Sequence, residues 1–411
     1  MHTRDTSDHH GPQGRFDRQT KLLLVVNGLF ITANALSGTF LGVYIWKASE
    51  SFLALGWFTL LTHIVMAATF WLAGNGVKEG NKMLWLRIGI GFSAVFYGTV
   101  LLLGKSAIEW LWLLGVLNGL SIGLFWLAYN VIYFEATDAD NRDRYNGLAG
   151  VMGSLVGIAI PWFSGYVLSQ IAGDRGYRII FMTSLGIFVA GILVSFLLRD
   201  RRASGDYEWG MPIRALAKHG PWRPVFGALA AQGLRESVFG VMIGLLVYLQ
   251  SGSELALGNF VLINSAVSFV SFYAVGKWLK PRWRNIGMGI GTIIITAIVA
   301  IFFLDVSRTT LIVFGIVASL FFPLYLIPMT SSVFDLIGQD NDSANRRVEY
   351  VVIRELGLNT GRIVGMVIFM ITLGISHSPV VVNWMLLVVG SAPILGWRLM
   401  QGRLQRARTS S

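Results

Sequence analysis

Two glutamates and three arginines lie where the surrounding sequence is almost wholly apolar: Arg235 and Glu236 in one hydrophobic stretch, and Arg354, Glu355 and Arg362 in another. Gln232, Arg235 and Glu236 stand at i, i+3 and i+4, and Glu355, Asn359 and Arg362 at i, i+4 and i+7, so each set shares a helical face, with Arg354 beside the second. Within a bilayer an ionised side chain costs about 2.5–3.5 kcal/mol on insertion scales, so such residues line a cavity or pair with one another. Two readings stay open. In one, Arg235 and Glu236 pair with Glu355 and Arg354 and pin two helices together. In the other, an arginine faces a solute and a glutamate exchanges a proton as the site fills and empties. Three positive charges against two negative ones suit an anionic or zwitterionic solute.

The first half of the chain offers neutral groups instead. Asn27 and Asn34 are seven residues apart on one face of the first hydrophobic segment, and Asn118, Tyr129 and Asn130 lie in the fourth. Each can hydrogen-bond a polar ligand or join helices to one another. Tyr325 stands near the repeat-related position of Tyr129, which suggests a tyrosine pair facing across the molecule. His63 carries the only kind of side chain that ordinarily titrates near neutral pH, although a lone intramembrane imidazole also serves as a packing residue. Pro323 and Pro328 remove backbone donors and should kink the tenth segment.

The elements that must position these residues are membrane helices. Of the 411 residues, 54% are hydrophobic and 13% charged, with a mean hydropathy of +0.61; soluble domains carry about a quarter charged residues. A span needs about 20 mainly apolar residues. Twelve stretches qualify: Leu22 to Trp46, Phe52 to Ala73, Leu84 to Leu103, Trp110 to Tyr133, Gly147 to Leu168, Ile179 to Leu198, Val225 to Leu249, Leu255 to Val275, Ile286 to Leu304, Leu311 to Phe334, Val351 to Ile375 and Val381 to Trp397. The expected organisation is a polar tail (1–21), a six-helix bundle (22–198), a basic linker (199–224), a second six-helix bundle (225–400) and a short tail (401–411). Met1 to Thr20 lack the features of a cleaved signal peptide, so the first segment should stay in the protein.

The basic residues fix an expected orientation. If the N-terminus is cytoplasmic, cytoplasmic segments hold 24 Lys and Arg, and the opposite loops only Lys47, Lys105, Arg175, Arg178 and Arg308. The formal charge of +11 is then mostly topology, and no nucleic-acid partner is expected. There is no Cys, no Walker-type loop for ATP, no paired-His ligand motif and no grouping of Ser, His and Asp as a hydrolase needs. No enzymatic activity, cofactor or metal is expected.

An internal repeat organises the chain. Val43-Tyr44-Ile45, Ser49-Glu50, Leu53-Ala54-Leu55-Gly56 and Phe58 recur as Val247-Tyr248-Leu249, Ser253-Glu254, Leu255-Ala256-Leu257-Gly258 and Phe260. Gly153-xxx-Gly157 in segment five has a partner in Gly361-xxx-Gly365 in segment eleven, and each follows a polar loop with two arginines (Arg142 and Arg144; Arg346 and Arg347). Ser49 or Ser51, and Ser253, read as helix N-caps.

With six plus six helices, a central basic linker and parallel half-repeats, the chain resembles the major facilitator superfamily over essentially its whole length. The family's loop between helices 2 and 3, Gly-x-Leu-Ala-Asp-Arg-x-Gly-Arg-Lys, is echoed by Ala73 to Lys82, where Lys78, Gly80 and Lys82 fit but Val77 replaces the aspartate. No latch built on that aspartate is therefore expected. The second copy, Gly276 to Arg284, keeps the glycine and the basic character, with Lys280 at the acidic position. Gly157-xxx-Pro161-xxx-Gly165 is similar to the family's antiporter motif, and small residues at this spacing also let backbones approach closely.

The resemblance implies a multi-pass transporter of the bacterial plasma or inner membrane with both termini cytoplasmic. It implies alternating access to a site between the halves, surrounded by helices 1, 4, 7 and 10. The expected cargo is a small anionic or zwitterionic organic solute, with proton coupling through a glutamate and a monomer as the working unit. A drug or lipid-like substrate, favoured by aromatics such as Phe125 and Trp126, is the alternative, and a non-transporting membrane sensor or assembly factor of the same fold is the third reading.

Overall fold

The computed structural model describes residues 16–136, 139–171, 173–200, 206–217, 220, 222–337 and 346–409. The side chains of Arg142 and Arg144, and parts of the tails and linker, lie outside the described residues.

The apolar runs form the helices α1 (Arg18–Ser49), α2 (Phe52–Glu79), α3 (Lys82–Leu103), α4 (Leu111–Ala136), α5 (Ala139–Gln170) and α6 (Asp174–Ser195). A short helix α7 (Met211–Ala217) then interrupts the linker. The second set is α8 (Trp222–Ser251), α9 (Glu254–Trp278), α10 (Arg284–Ala297), α11 (Arg308–Ile337), α12 (Arg347–Ile375), α13 (Pro379–Gly390) and α14 (Ala392–Thr409). Among the described residues, 12 helical stretches are long and apolar enough to cross a membrane; the last runs through α13 and α14, and the ninth through α10 and the 3-10 turn that follows it. Several helices extend past their apolar cores, as expected where polar residues cap or flank a span. α1, for example, begins at an Asp17 cap whose side chain accepts from Thr20 N.

Helix pairing repeats between the two sets. The contacts α1·α5, α1·α6, α2·α4, α3·α4 and α3·α6 recur as α8·α12, α8·α14, α9·α11, α10·α11 and α10·α14. Two pseudo-symmetric six-helix bundles result, meeting along α2·α12 and α5·α9.

The structural register of the repeat is finer than the sequence match. Ser51 caps α2 through Ala54 N and Ser253 caps α9 through Ala256 N. Two residues earlier, Ser49 donates to Ile45 O and Ser251 to Val247 O, and each accepts the amide of the capping serine. Between them, Glu50 and Gly252 both adopt positive φ, 50° and 62°. Ser51 therefore corresponds to Ser253, whereas the sequence match pairs Ser49 with Ser253. The matching Val-Tyr-Ile and Val-Tyr-Leu blocks run two residues out of this frame, so turn geometry and not those side chains carries the repeat.

Close helix approach explains the small residues. A Cβ on Gly361 would sit 1.8 Å from Ala230 O and one on Gly233 2.0 Å from Leu358 O, which fixes α12 against α8 with backbones in contact. Between the bundles, a Cβ on Gly165 of α5 would lie 2.7 Å from Glu254 O of α9. The Gly157–Pro161–Gly165 run thus packs helices. Pro323 and Pro328 both lie inside a continuous α11.

Candidate functional site

The face that carries the start of α1 and the end of α14 is termed proximal here, and the face with the α1–α2 and α8–α9 turns distal. Chambers and inter-bundle locks are arranged along this axis.

The charged cluster sits in the second bundle, where α8 and α12 are held in contact. Arg362 Nη2 bonds Glu236 Oε2 at 3.0 Å, and its Nη1 lies 3.9 Å from Glu355 Oε2. Arg354 pairs with Glu355, its neighbour in sequence. Gln232 Nε2 donates to Glu236 Oε1 at 2.7 Å, and Arg362 Nη1 to Asn359 Oδ1 at 3.4 Å, while Asn359 donates to Glu355 O on its own helix. Spacing on each helix fixed these faces, and close backbone packing lets them meet.

Arg235 is left over. It is 8% exposed, and among the described residues no carboxylate lies within ion-pair distance and its Nε has no hydrogen-bond partner. Its guanidinium carbon lies 4.5 Å from the Phe239 ring centroid and 5.6 Å from that of Phe322, a cation–π sandwich that offsets part of its desolvation. Tyr325 and Glu236 are titratable groups acting on it electrostatically. The pairing of Arg235 with Glu355 that one sequence reading required is not what the structure shows; it is Glu236 that bridges the helices, through Arg362.

Arg235 and Glu236 line a chamber of about 280 Å³ with Phe260, Asn264, Ser268 and Phe322. Phe239, Gly240, Ile243 and Phe260 are shared with a larger cavity of about 510 Å³ between the bundles, whose first-bundle wall includes Asn34, Thr39, Tyr97 and Asn118. Asn264 and Ser268 are shared with a cleft of about 470 Å³ between α5 and α9, walled by Gly150, Gly153 and Gly157. The arginine chamber therefore adjoins both the inter-bundle space and the proximal half of the α5–α9 seam.

The neutral candidates divide. Asn34 and Asn118 line the central cavity, Asn34 donating to Phe30 O and Asn118 to Thr62 Oγ1. Asn27 is buried, with an Oδ1 that lacks a partner. The Tyr129 hydroxyl meets that of Tyr145 at 2.9 Å inside the first bundle. Tyr325 is fully buried in the second bundle, its hydroxyl without a partner and close to Gly396. Neither tyrosine lines these three cavities. Gly89 abuts Leu124 and Phe125 as Gly291 abuts Leu324 and Tyr325, so Phe125, one turn before Tyr129, is the structural counterpart of Tyr325. His63 of α2 lies within electrostatic reach of Arg362 across the bundle interface, and its Nδ1 has no partner.

Two locks that sequence reasoning missed join the bundles. At the proximal face Lys78 of α2 bonds Glu349 of α12 at 2.5 Å, with Glu349 wholly buried. The linker threads this lock: Glu208 N donates to Glu349 Oε1, Arg346 pairs with Glu208 at 2.8 Å, and Tyr207 N donates to Glu79 Oε1. Burial, then the Glu349 charge, pushes the Tyr207 hydroxyl above its ordinary pKa, so it stays a donor to Trp71 O. At the distal face Lys47 of α1 and Tyr177 of α6 both reach Glu254 of α9, at 2.9 and 3.1 Å. Glu349, the third residue of α12, is a fully buried acid besides the Glu236 and Glu355 of the charged cluster. The basic loop echo at Lys78 was its one visible signal.

The sequence pattern of the Major Facilitator Superfamily matches residues 23–345. The chain belongs to this superfamily. It is 35% identical over 368 residues to the "Uncharacterized protein YqgE" of Bacillus subtilis (strain 168), covering 90% of this chain and 86% of that one. A protein of Geobacillus stearothermophilus, "Uncharacterized protein in sodM 3'region", is 34% identical over 194 residues, 47% of this chain and 91% of its own length. Among solved structures, a mutant of the nucleoside transporter NupG superposes with a TM-score of 0.71 and the human organic anion transporter MFSD10 (TETRAN) with 0.68, each at 13% identity over 93% of this chain and 99% of the other. A bacterial homologue of the iron transporter ferroportin gives 0.65 at 14% identity, over 94% and 99%. These likenesses establish a twelve-helix transporter fold in a multi-pass membrane protein.

Proposed function

We propose that this protein is a secondary transporter that moves a small organic anion, or the anionic end of a zwitterion, through the chamber at Arg235 by alternating access. The observation that carries this reading is the unpaired, buried Arg235 at a chamber wall: of three arginines and two glutamates, the glutamates engage Arg354 and Arg362. An incoming carboxylate or phosphate would supply the missing counter-charge, with Asn264 and Ser268 available for its polar remainder. Substrate-side hydrogen bonds from Asn34 and Asn118 would follow from the shared central cavity. The printed substrate class of MFSD10, organic anions, agrees in sign, although the likeness extends only to the fold.

In this reading the bundles spanning residues 22–198 and 225–400 move as bodies about the site, and the proximal face is cytoplasmic, as the 24 to 5 division of basic residues favours. A reporter fused after Ser411 should signal from the cytoplasm; an external signal overturns the orientation. The proton-coupled step falls to Glu236 or Glu355: as the solute leaves, a glutamate deprotonates and the arginines stay compensated.

The test uses purified protein in vesicles and a panel of labelled organic acids, cations and neutral solutes. An organic acid should be taken up, and Arg235→Gln should weaken its half-saturation by roughly tenfold or more, the value of one charge-assisted hydrogen bond. Uptake restricted to cations, or an Arg235→Gln variant with unchanged half-saturation, overturns the proposal.

A further inference from the structure

On the distal side of the second bundle, separated from the arginine chamber by Phe260, which lines both, a crevice of about 380 Å³ opens among α8, α9 and α11. Its walls are apolar, from Ala256, Ile263, Leu311 and Ile312, and two polar side chains enter it, Asn259 and Arg308. Neither makes a hydrogen bond or ion pair among the described residues. The other polar side chain there, Ser251, is already satisfied by Val247 O.

Asn259 is half-buried inside a span, where an amide gains from a hydrogen-bond acceptor supplied by a bound ligand. Arg308 is exposed at the first residue of α11, where the tenth candidate membrane span begins on the distal side. Of the other distal cations, Lys47 pairs with Glu254 and Lys105 with Asp174, whereas Arg175 and Arg178 are exposed outside the crevice lining. Asn259 lies five residues into α9, about 8 Å below the helix start at 1.5 Å per residue. That depth is close to the thickness of one headgroup layer, roughly 5–8 Å.

The geometry points to a binding site for one anionic phospholipid. Its phosphate pairs with Arg308, its ester carbonyl accepts from the Asn259 amide one headgroup layer deeper, and the start of an acyl chain fills the apolar crevice. A phosphate alone would satisfy the arginine but leave the crevice and the amide empty, and a neutral lipid would leave the arginine unpaired. The crevice shares Phe260 with the arginine chamber and the central cavity, but Arg308 and Asn259 line neither.

The experiment measures binding of palmitoyl-oleoyl phosphatidylglycerol to the full-length protein in neutral detergent by native mass spectrometry, with phosphatidylcholine as the neutral comparison. Wild type should retain one phosphatidylglycerol in preference to phosphatidylcholine. Arg308→Gln should weaken that binding about tenfold or more, Arg308→Lys should keep most of it, and Asn259→Leu should weaken it severalfold. Arg178→Gln, which removes another exposed distal arginine, should change nothing. Equal losses in Arg308→Gln and Arg178→Gln overturn the site as a specific one. Displacement of the lipid by equimolar glycerol 3-phosphate or inorganic phosphate overturns its assignment to a lipid. Should Arg308→Gln fail to fold, an Asn259→Leu variant with unchanged affinity overturns the proposal on its own.

Discussion

The Lys78–Glu349 lock sets a measurable threshold for opening the proximal face. Lys78→Met keeps the length of the side chain and leaves Glu349, wholly buried and 2.5 Å from its lost partner, as an uncompensated charge. Breaking a buried pair from one side costs about 3–5 kcal/mol. At 1.4 kcal/mol per decade this moves the closed-to-open ratio by two to three and a half powers of ten. Entry of water will relieve part of it, so a tenfold change is the floor. The chain has no Cys, so a single Val352→Cys, buried one turn beyond Glu349, reports opening through its maleimide labelling rate. The rate should rise at least tenfold in Lys78→Met and fall back in Lys78→Met/Glu349→Met, where neither charge remains. A labelling rate within twofold of the parent at neutral pH would refute the lock.

By contrast, the distal pair Lys47–Glu254 leaves the lysine side chain 42% exposed, so Lys47→Gln should change distal accessibility less than about fivefold, by the same labelling assay. Glu236→Gln and Glu355→Gln should be compared for uphill uptake driven by a pH gradient and for solute exchange. One of the two should lose accumulation while keeping exchange, and if both accumulate normally the glutamates are structural partners of the arginines. Gly361→Ala places a Cβ 1.8 Å from Ala230 O and should destabilise the protein by about 3 kcal/mol or more in thermal denaturation, whereas Gly147→Ala, with open space at that position, should be neutral within about 0.5 kcal/mol.

Local information in the sequence reached as far as each helix and its faces. Segment eleven, read as Val351 to Ile375, is α12 from Arg347 to Ile375, and Ser51 and Ser253 cap as their types suggest. Helical spacing put Gln232 with Glu236, and Glu355 with Asn359 and Arg362, because both facts follow from 3.6 residues per turn. Partner choice between helices was not legible. Nothing local says that Glu236 takes Arg362 and leaves Arg235 to the faces of Phe239 and Phe322; that depends on the rotation of α8 against α12 set by Gly233 and Gly361. Glu349 lies two residues before the apolar segment that starts at Val351, where hydropathy gives no sign of burial, yet the linker packs against it and it is wholly buried. The tyrosine pair failed for a related reason, since repeats drift in register at loops and the contacts of Gly89 and Gly291, not side-chain identity, mark the true counterparts.

The repeat also shows where charge has been concentrated in a symmetric frame. Counted back from their equivalent caps, Glu50 and Gly252, Asn34 of α1 and Glu236 of α8 are counterparts, and the first bundle holds an amide where the second holds a carboxylate. Both face cavities that share Phe239, Gly240 and Phe260. A solute between them meets neutral hydrogen-bonding groups on one wall and a cluster of net charge one on the other. A singly charged anion brings that cluster to neutrality, and a second negative charge would find no free arginine. The cost of an uncompensated charge in the membrane, about 2.5–3.5 kcal/mol, then falls on the empty site rather than the loaded one. Under the proposed anion transport, with both glutamates ionised, that ordering favours crossing while loaded, so selectivity for a single negative charge follows from the surplus arginine.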